Sequence, residues 1–213
     1  MKLRLAALSA VALLGACRSA GDLTAEQGGG VWAVRTPCPI VGVPAGTGDI
    51  TLFNPPGSTD ARAIDVTAAI TDVRNRCQDS GDDVVSTATF TVIAQRRDSG
   101  PARQVVLPYF DVALQGGNRI VAKQIGQIGL NFPAGSLRTW TRVQASVRVN
   151  RGVASLPEEV RRTLTRPRKA GDADAAVDPM ADPAIRTAVA NATFEHLIGF
   201  QMTQDQLRYN ATR

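Results

Sequence analysis

A single histidine, His196, limits the catalysis open to this chain of 213 residues. A Ser/His/Asp hydrolase would have to use it, because a serine hydroxyl needs an imidazole to take its proton. The surrounding sequence reads as a helix, where His196 is expected to be packed or to lie near the cap. No Gly-x-Ser-x-Gly turn is present to expose a nucleophile. Hydrolase chemistry would require His196 or a carboxylate pair in a cleft with an unusual environment; an exposed, solitary imidazole would close the histidine version. Gly28-Gly29-Gly30 lacks the Lys and Ser/Thr that complete a phosphate-cradling loop. Zinc and copper want several His, Cys or Met ligands, and one His with three Met does not supply them. Asp79-Ser80-Gly81-Asp82-Asp83 gathers oxygen ligands, yet the spacing is not that of a calcium loop, so a polar turn is expected. Two carboxylates for glycoside hydrolysis need only meet in space. The clefts that use them are aromatic-lined, however, and aromatics make up 5% of this chain. The expectation is a non-enzymatic protein without a catalytic residue, a metal ligand or a bound cofactor.

The remaining chemistry belongs to three cysteines. Lys2 and Arg4 form a basic head, an apolar run extends from Leu5 to Leu14, and Gly15 and Ala16 stand directly before Cys17. That order describes an export signal. The run falls well short of the ~20 residues a spanning helix needs. Leu14-Gly15-Ala16-Cys17 resembles the lipobox of bacterial lipoproteins. The resemblance covers residues 1–17 and implies that residues 1–16 are removed and that Cys17 carries a thioether-linked diacylglycerol. Each buried methylene of such chains contributes ~0.8 kcal/mol, so two or three chains hold a protein on the membrane. In the lipoproteins this resembles, Asp after the cysteine commonly retains the protein at the inner membrane; Arg18 here implies the outer membrane, with the domain on the periplasmic side. With Cys17 given to lipid, Cys38 and Cys77 remain as a pair in an oxidising compartment, and a disulfide is expected. It would close a loop of about 40 residues and contribute roughly 4 kcal/mol in the chain-entropy description. Two free buried thiols are the alternative; a metal site would lack further ligands.

The formal net charge is +5, falling to about +3 once Lys2 and Arg4 leave with the signal. Arginines are spread along the chain with aspartates between them. A basic pI therefore points to solvated surface rather than nucleic acid, with weak attraction to anionic lipid headgroups as a lesser component.

These groups must be positioned by five segments: the signal (1–16), a lipidated small-polar tether (17–30), a β domain (31–150), a short helix with a charged Ala/Asp/Pro linker (151–183), and a C-terminal helical segment (184–213). Strands are expected at 31–34, 49–53, 63–77, 84–97, 105–114, 119–128 and 139–149. Ile64, Val66, Ala68 and Ile70 show the spacing of two that a half-buried strand requires, as do Ala88, Phe90, Val92 and Ala94. Gln115-Gly116-Gly117-Asn118 is a hairpin signal. Pro108 marks an edge or bulge, and Phe132 is expected in a loop as an anchoring aromatic. The fold class is thus mainly β, an antiparallel β-sandwich of immunoglobulin-like or fibronectin-like architecture with a C-terminal α-helix. Trp140 lies too far from the cysteines to complete an immunoglobulin Cys–Trp–Cys signature. Pro157 opens a short helix to Leu164. Residues 151–169 carry six Lys/Arg against two Glu, and residues 170–183 carry four Asp, which reads as a solvated linker. Asp182 and Pro183 then open a helix running to Gly199, too short to stand alone. The function expected is that of an accessory or scaffold subunit of a cell-envelope assembly, held to the membrane by lipid and contacting an envelope protein through that helix. A periplasmic small-ligand or glycan-binding module is the alternative.

Overall fold

The computed structural model describes residues 37–169 and 171–212. The signal, Cys17, the tether 17–30 and the apolar segment 31–34 lie outside the described residues. The strands are β1 (Ile40–Gly42), β2 (Asp49–Phe53), β3 (Ile64–Ser80), β4 (Asp83–Arg96), β5 (Arg103–Gln115), β6 (Arg119–Phe132), β7 (Arg138–Asn150) and β8 (Phe194–Phe200). The helices are α1 (Glu158–Thr165), α2 (Pro183–Asn191) and α3 (Gln204–Thr212). The protein is therefore mainly β, and its described chain closes on a helix.

Two four-stranded sheets form, in the orders β1-β8-β5-β6 and β2-β3-β4-β7. Alternation builds them: along β4, Val84, Ser86, Ala88, Phe90, Val92 and Ala94 are all buried while their neighbours face outward. The inner faces share one core. Phe90, Val92 and Val66 from the second sheet are buried with Leu107, Leu130 and Phe200 from the first. Each such side chain contributes ~1.5–3 kcal/mol on leaving water. Gly81 (φ 63°) turns β3 into β4, and Gly116 (φ 65°) and Gly117 (φ 79°) turn β5 into β6, backbone values that favour glycine.

Four expectations are corrected. The helix expected from Asp182 to Gly199 ends at Asn191. Its start is as read, with the Asp182 carboxylate accepting from the Ala184 N–H at 2.8 Å. Beyond Thr193 the sequence changes period: Phe194, His196, Ile198 and Phe200 are buried in alternation and form β8. This strand lies between β1 and β5, so the C-terminal segment is not a detachable contact element but the middle of a sheet. Second, the pairing is not wholly antiparallel, because β1 runs parallel to β8. Third, Phe132 is not in a loop; it ends β6, is 1% exposed, and lies under the Arg96 guanidinium at 5.4 Å from its ring centre. Fourth, Pro108 is on β5, an internal strand. The β5–β8 ladder begins only at Tyr109, so the missing N–H falls where β8 ends, and the Pro108 carbonyl accepts from the Gln201 N–H.

Cys38 and Cys77 are bonded, with Cα atoms 6.0 Å apart. The bridge ties the approach to β1, in one sheet, to β3 in the other, beside a smaller apolar cluster of Val84, Val147 and Phe194. Residues 166–177 form a separate unit. Within it Arg166 pairs with Asp174, and the Arg168 guanidinium donates to the Val177 carbonyl.

Candidate functional site

The buried polar groups of the core converge on one line. Ser86 projects inward from β4, while Asp111 and His196 project inward from β5 and β8. His196 Nδ1 lies 3.0 Å from Ser86 Oγ, and His196 Nε2 lies 2.8 Å from an Asp111 carboxylate oxygen. Ser86 and His196 are fully buried, and Asp111 is 4% exposed. The line continues across β3: Ser86 Oγ lies 3.1 Å from Asn75 Oδ1, and the Asn75 amide donates to the Pro39 carbonyl at 3.1 Å. A chain of hydrogen bonds thus links both sheets next to the disulfide.

Proton counting constrains this line. Ser86 has one hydroxyl proton and two acceptors near it, His196 Nδ1 and Asn75 Oδ1. An imidazole protonated on both nitrogens serves every contact: Nε2–H donates to Asp111, Nδ1–H donates to Ser86 Oγ, and Ser86 donates to Asn75. A neutral imidazole that donates to Asp111 takes the serine proton and leaves Asn75 Oδ1 without it. Tyr109 borders the same region. Its ring meets Phe90 edge-on with centroids 6.0 Å apart, and its hydroxyl is held above the ordinary 10.0, first by burial and then by the Asp111 carboxylate.

Serine, histidine and aspartate in hydrogen-bond contact invite comparison with a hydrolytic triad, and two features separate them. In the triad the nitrogen facing serine is Nε2 and the one facing aspartate is Nδ1; here the ring is reversed. Ser86 Oγ also lies between the sheets, where no substrate carbonyl reaches it without parting them. The arrangement has the chemistry of an internal brace. A second brace closes the other end of β4, where the buried Arg96 donates to the carbonyls of Ser136, Pro101, Gly100 and Pro133 at 2.6–3.1 Å.

What the domain offers to other molecules is its surface. On the outer face of β1-β8-β5-β6, Ile40, Val106, Ile120 and Ile125 are exposed, Phe110, Leu114 and Leu197 are half-buried, and Lys123 and Glu195 stand on the same face. Ile120 is 59% exposed and Ile125 53%. Phe110 lies across Gly199 of β8, where a larger residue would strike its ring. Two open hollows accompany the sheets. One, of about 630 Å³, runs between Val153, Pro157 and one side of α2; the other, of about 670 Å³, lies on the outer face of β2-β3-β4-β7 beside Ile93 and Trp140.

The residues singled out from sequence fall as follows. Cys17 lies outside the described residues. Cys38 and Cys77 are joined. Asp79 to Asp83 make the β3–β4 turn, and Asp79 pairs with Arg151 at 3.1 Å. Among the described residues no group of three His, Cys, Asp or Glu is placed to hold a metal ion. His196 sits in a strand rather than a helix, and Ser86, Asp111 and Asn75 were not singled out at all. A signal for two of them was present, since Ser86 and Asp111 occupy core-facing positions in otherwise apolar alternations. No family model, no curated protein and no solved structure matches the chain.

Proposed function

We propose that the protein is a non-enzymatic lipoprotein of the outer membrane, anchored by lipid on Cys17 with its β domain in the periplasm, and that it serves as an accessory or scaffold subunit of an envelope assembly. The observation that carries the reading is the apolar outer face of β1-β8-β5-β6. Exposed aliphatic side chains gathered on one sheet face are what a protein partner covers. Two further features support it. The groups that would perform hydrolysis are spent on bracing the core, and the disulfide suits an oxidising compartment. The immunoglobulin-like or fibronectin-like architecture is part of this proposal, supported by two four-stranded sheets that share a core; the first two described strands, β1 and β2, lie in different sheets.

The test combines an anchor measurement with a contact measurement. Mass analysis of the N-terminal peptide from cells should find diacylated Cys17; an unmodified cysteine rejects the lipoprotein reading. Cross-linking in intact cells should capture one stoichiometric envelope protein, and the Ile120→Asp/Ile125→Asp variant should lose it while unfolding at nearly the same temperature. Retention of the partner by that variant would move the contact away from this face.

A further inference from the structure

The outer face of the opposite sheet has a different chemistry. On β4 it presents Thr87, Thr89 and Thr91, each with one arginine among its two neighbours across the ladders. Arg76 and Ser146 flank Thr87, Arg74 and Gln144 flank Thr89, and Thr71 and Arg142 flank Thr91. Arg148 extends the row at one end beside Val85, and Arg138 extends it at the other beside Gln95. All five arginines are exposed. Arg74 is paired with Asp72 at 2.7 Å, and Arg138 donates to Gln95. Arg76, Arg142 and Arg148 have no carboxylate partner among the described residues. Besides Asp72, within β3 and held by Arg74, the acids of this face stand at its margins: Asp83 at one end, Asp49 at the other, and Asp65, which is held by Arg103 at 2.9 Å. Beyond the threonine row, Trp140 and Ile93 are paired across β7 and β4 and project outward, Trp140 at 64% exposure.

We infer that this face docks on anionic phospholipid headgroups of the membrane to which the chain is anchored. The inference rests on the lipoprotein reading above, and three observations carry it. Charge complementarity selects an anion, and guanidinium groups bind phosphate oxygens in bidentate fashion. The arginines lie on two strands, β3 and β7, on either side of the β4 threonine row, which suits a layer of headgroups. An exposed tryptophan beside an isoleucine at the border of a cationic surface matches the preference of indole for the membrane–water boundary. Anchoring at Cys17 sets proximity, and the arginine face sets orientation. That orientation turns the apolar face of β1-β8-β5-β6 away from the bilayer, toward a protein partner.

The experiment uses the full chain purified from the envelope, in a Trp32→Phe background so that Trp140 alone emits. Vesicles of phosphatidylcholine, with or without phosphatidylglycerol and with bromine-labelled acyl chains, are the probes. Trp140 emission should be quenched on vesicles containing phosphatidylglycerol, with the quenching relieved by high salt. The Arg76→Gln/Arg142→Gln/Arg148→Gln variant should lose about tenfold or more of its preference for anionic vesicles. Lys123→Gln, on the opposite sheet, should retain the preference, and the thermal midpoints of both variants should match that of the parent. Equal Trp140 quenching on neutral and anionic vesicles overturns the inference, as does dextran sulfate binding without any quenching on vesicles. The anchor is read separately. Binding to both neutral and anionic vesicles without Trp140 quenching on either keeps the lipid anchor and removes the docking face. Quenching restricted to anionic vesicles by an unlipidated chain keeps the face and removes the anchor.

Discussion

Asp111 has a partner in the core only because His196 reaches it, and the cost of parting them can be estimated. Removing one member of a buried hydrogen-bonded pair strands the other polar group, which typically costs about 1–3 kcal/mol. Asp111→Ala should therefore lower unfolding free energy by roughly that amount in urea titrations. The combined Ser86→Ala/Asp111→Leu/His196→Leu variant should recover much of the loss, because no unpaired polar atom then remains among those three. A triple variant less stable than Asp111→Ala would mean that the line adds more than mutual satisfaction. Tyr109 makes a second prediction at this scale. Its phenol is held above 10.0 in the folded chain by burial and then by Asp111. The folded state thus keeps the proton to higher pH than the unfolded state does. Stability tied to this group is present below about pH 10 and lost as pH climbs through the folded value. The urea midpoint should fall more steeply above about pH 10 in the parent than in Tyr109→Phe; identical slopes would remove Tyr109 from the account. Little of the brace was legible in the sequence. A serine in a strand and an aspartate beside a valine are individually ordinary, and only the pairing of β5 with β8 and the facing of the two sheets bring them to one histidine.

The elements themselves were far more legible. The strand at Asp49–Phe53 matches its expected bounds, and β3 to β7 lie within a few residues of theirs except at the end of β6, because alternation of apolar and polar residues is written locally. The miss at β8 has a physical cause. Ile185, Ala188, Val189 and Ala192 fit a helical face, and Leu197 fits it by coincidence. Strand formation at residues 194–200 depends on β1 and β5, which offer backbone partners distant in sequence. Truncation after Lys169 tests this dependence. The deletion removes β8 from between β1 and β5, exposes the inner faces of Ala113 and Leu107, and leaves Asp111 without His196. The truncated chain should show no cooperative thermal transition by circular dichroism. A native-like transition would mean that the β2-β3-β4-β7 sheet stands without β8.

For the whole molecule, the two outer faces differ: one carries exposed aliphatic side chains and the other arginines, and the proposed contacts fall on different faces. Substitutions on one should leave the other's behaviour intact, since the faces share no side chains and distant sites combine independently. Ile120→Asp/Ile125→Asp should thus abolish the protein cross-link while Trp140 remains quenched on anionic vesicles. The overall class, mainly β with a joined cysteine pair, could be read from the sequence; the contrast between the faces could not, because it emerges only when strands from across the chain are laid side by side. The position of β8 has one more consequence, and it concerns time. The strand made last sits between β1, the first described strand, and β5. A chain emerging from its N-terminus can assemble the β2-β3-β4 hairpins early, but β1 finds its neighbour only when residues 194–200 arrive. Completion of that sheet therefore waits for residues 194–200, and until they arrive β1 and the facing edge of β5 stay unpaired.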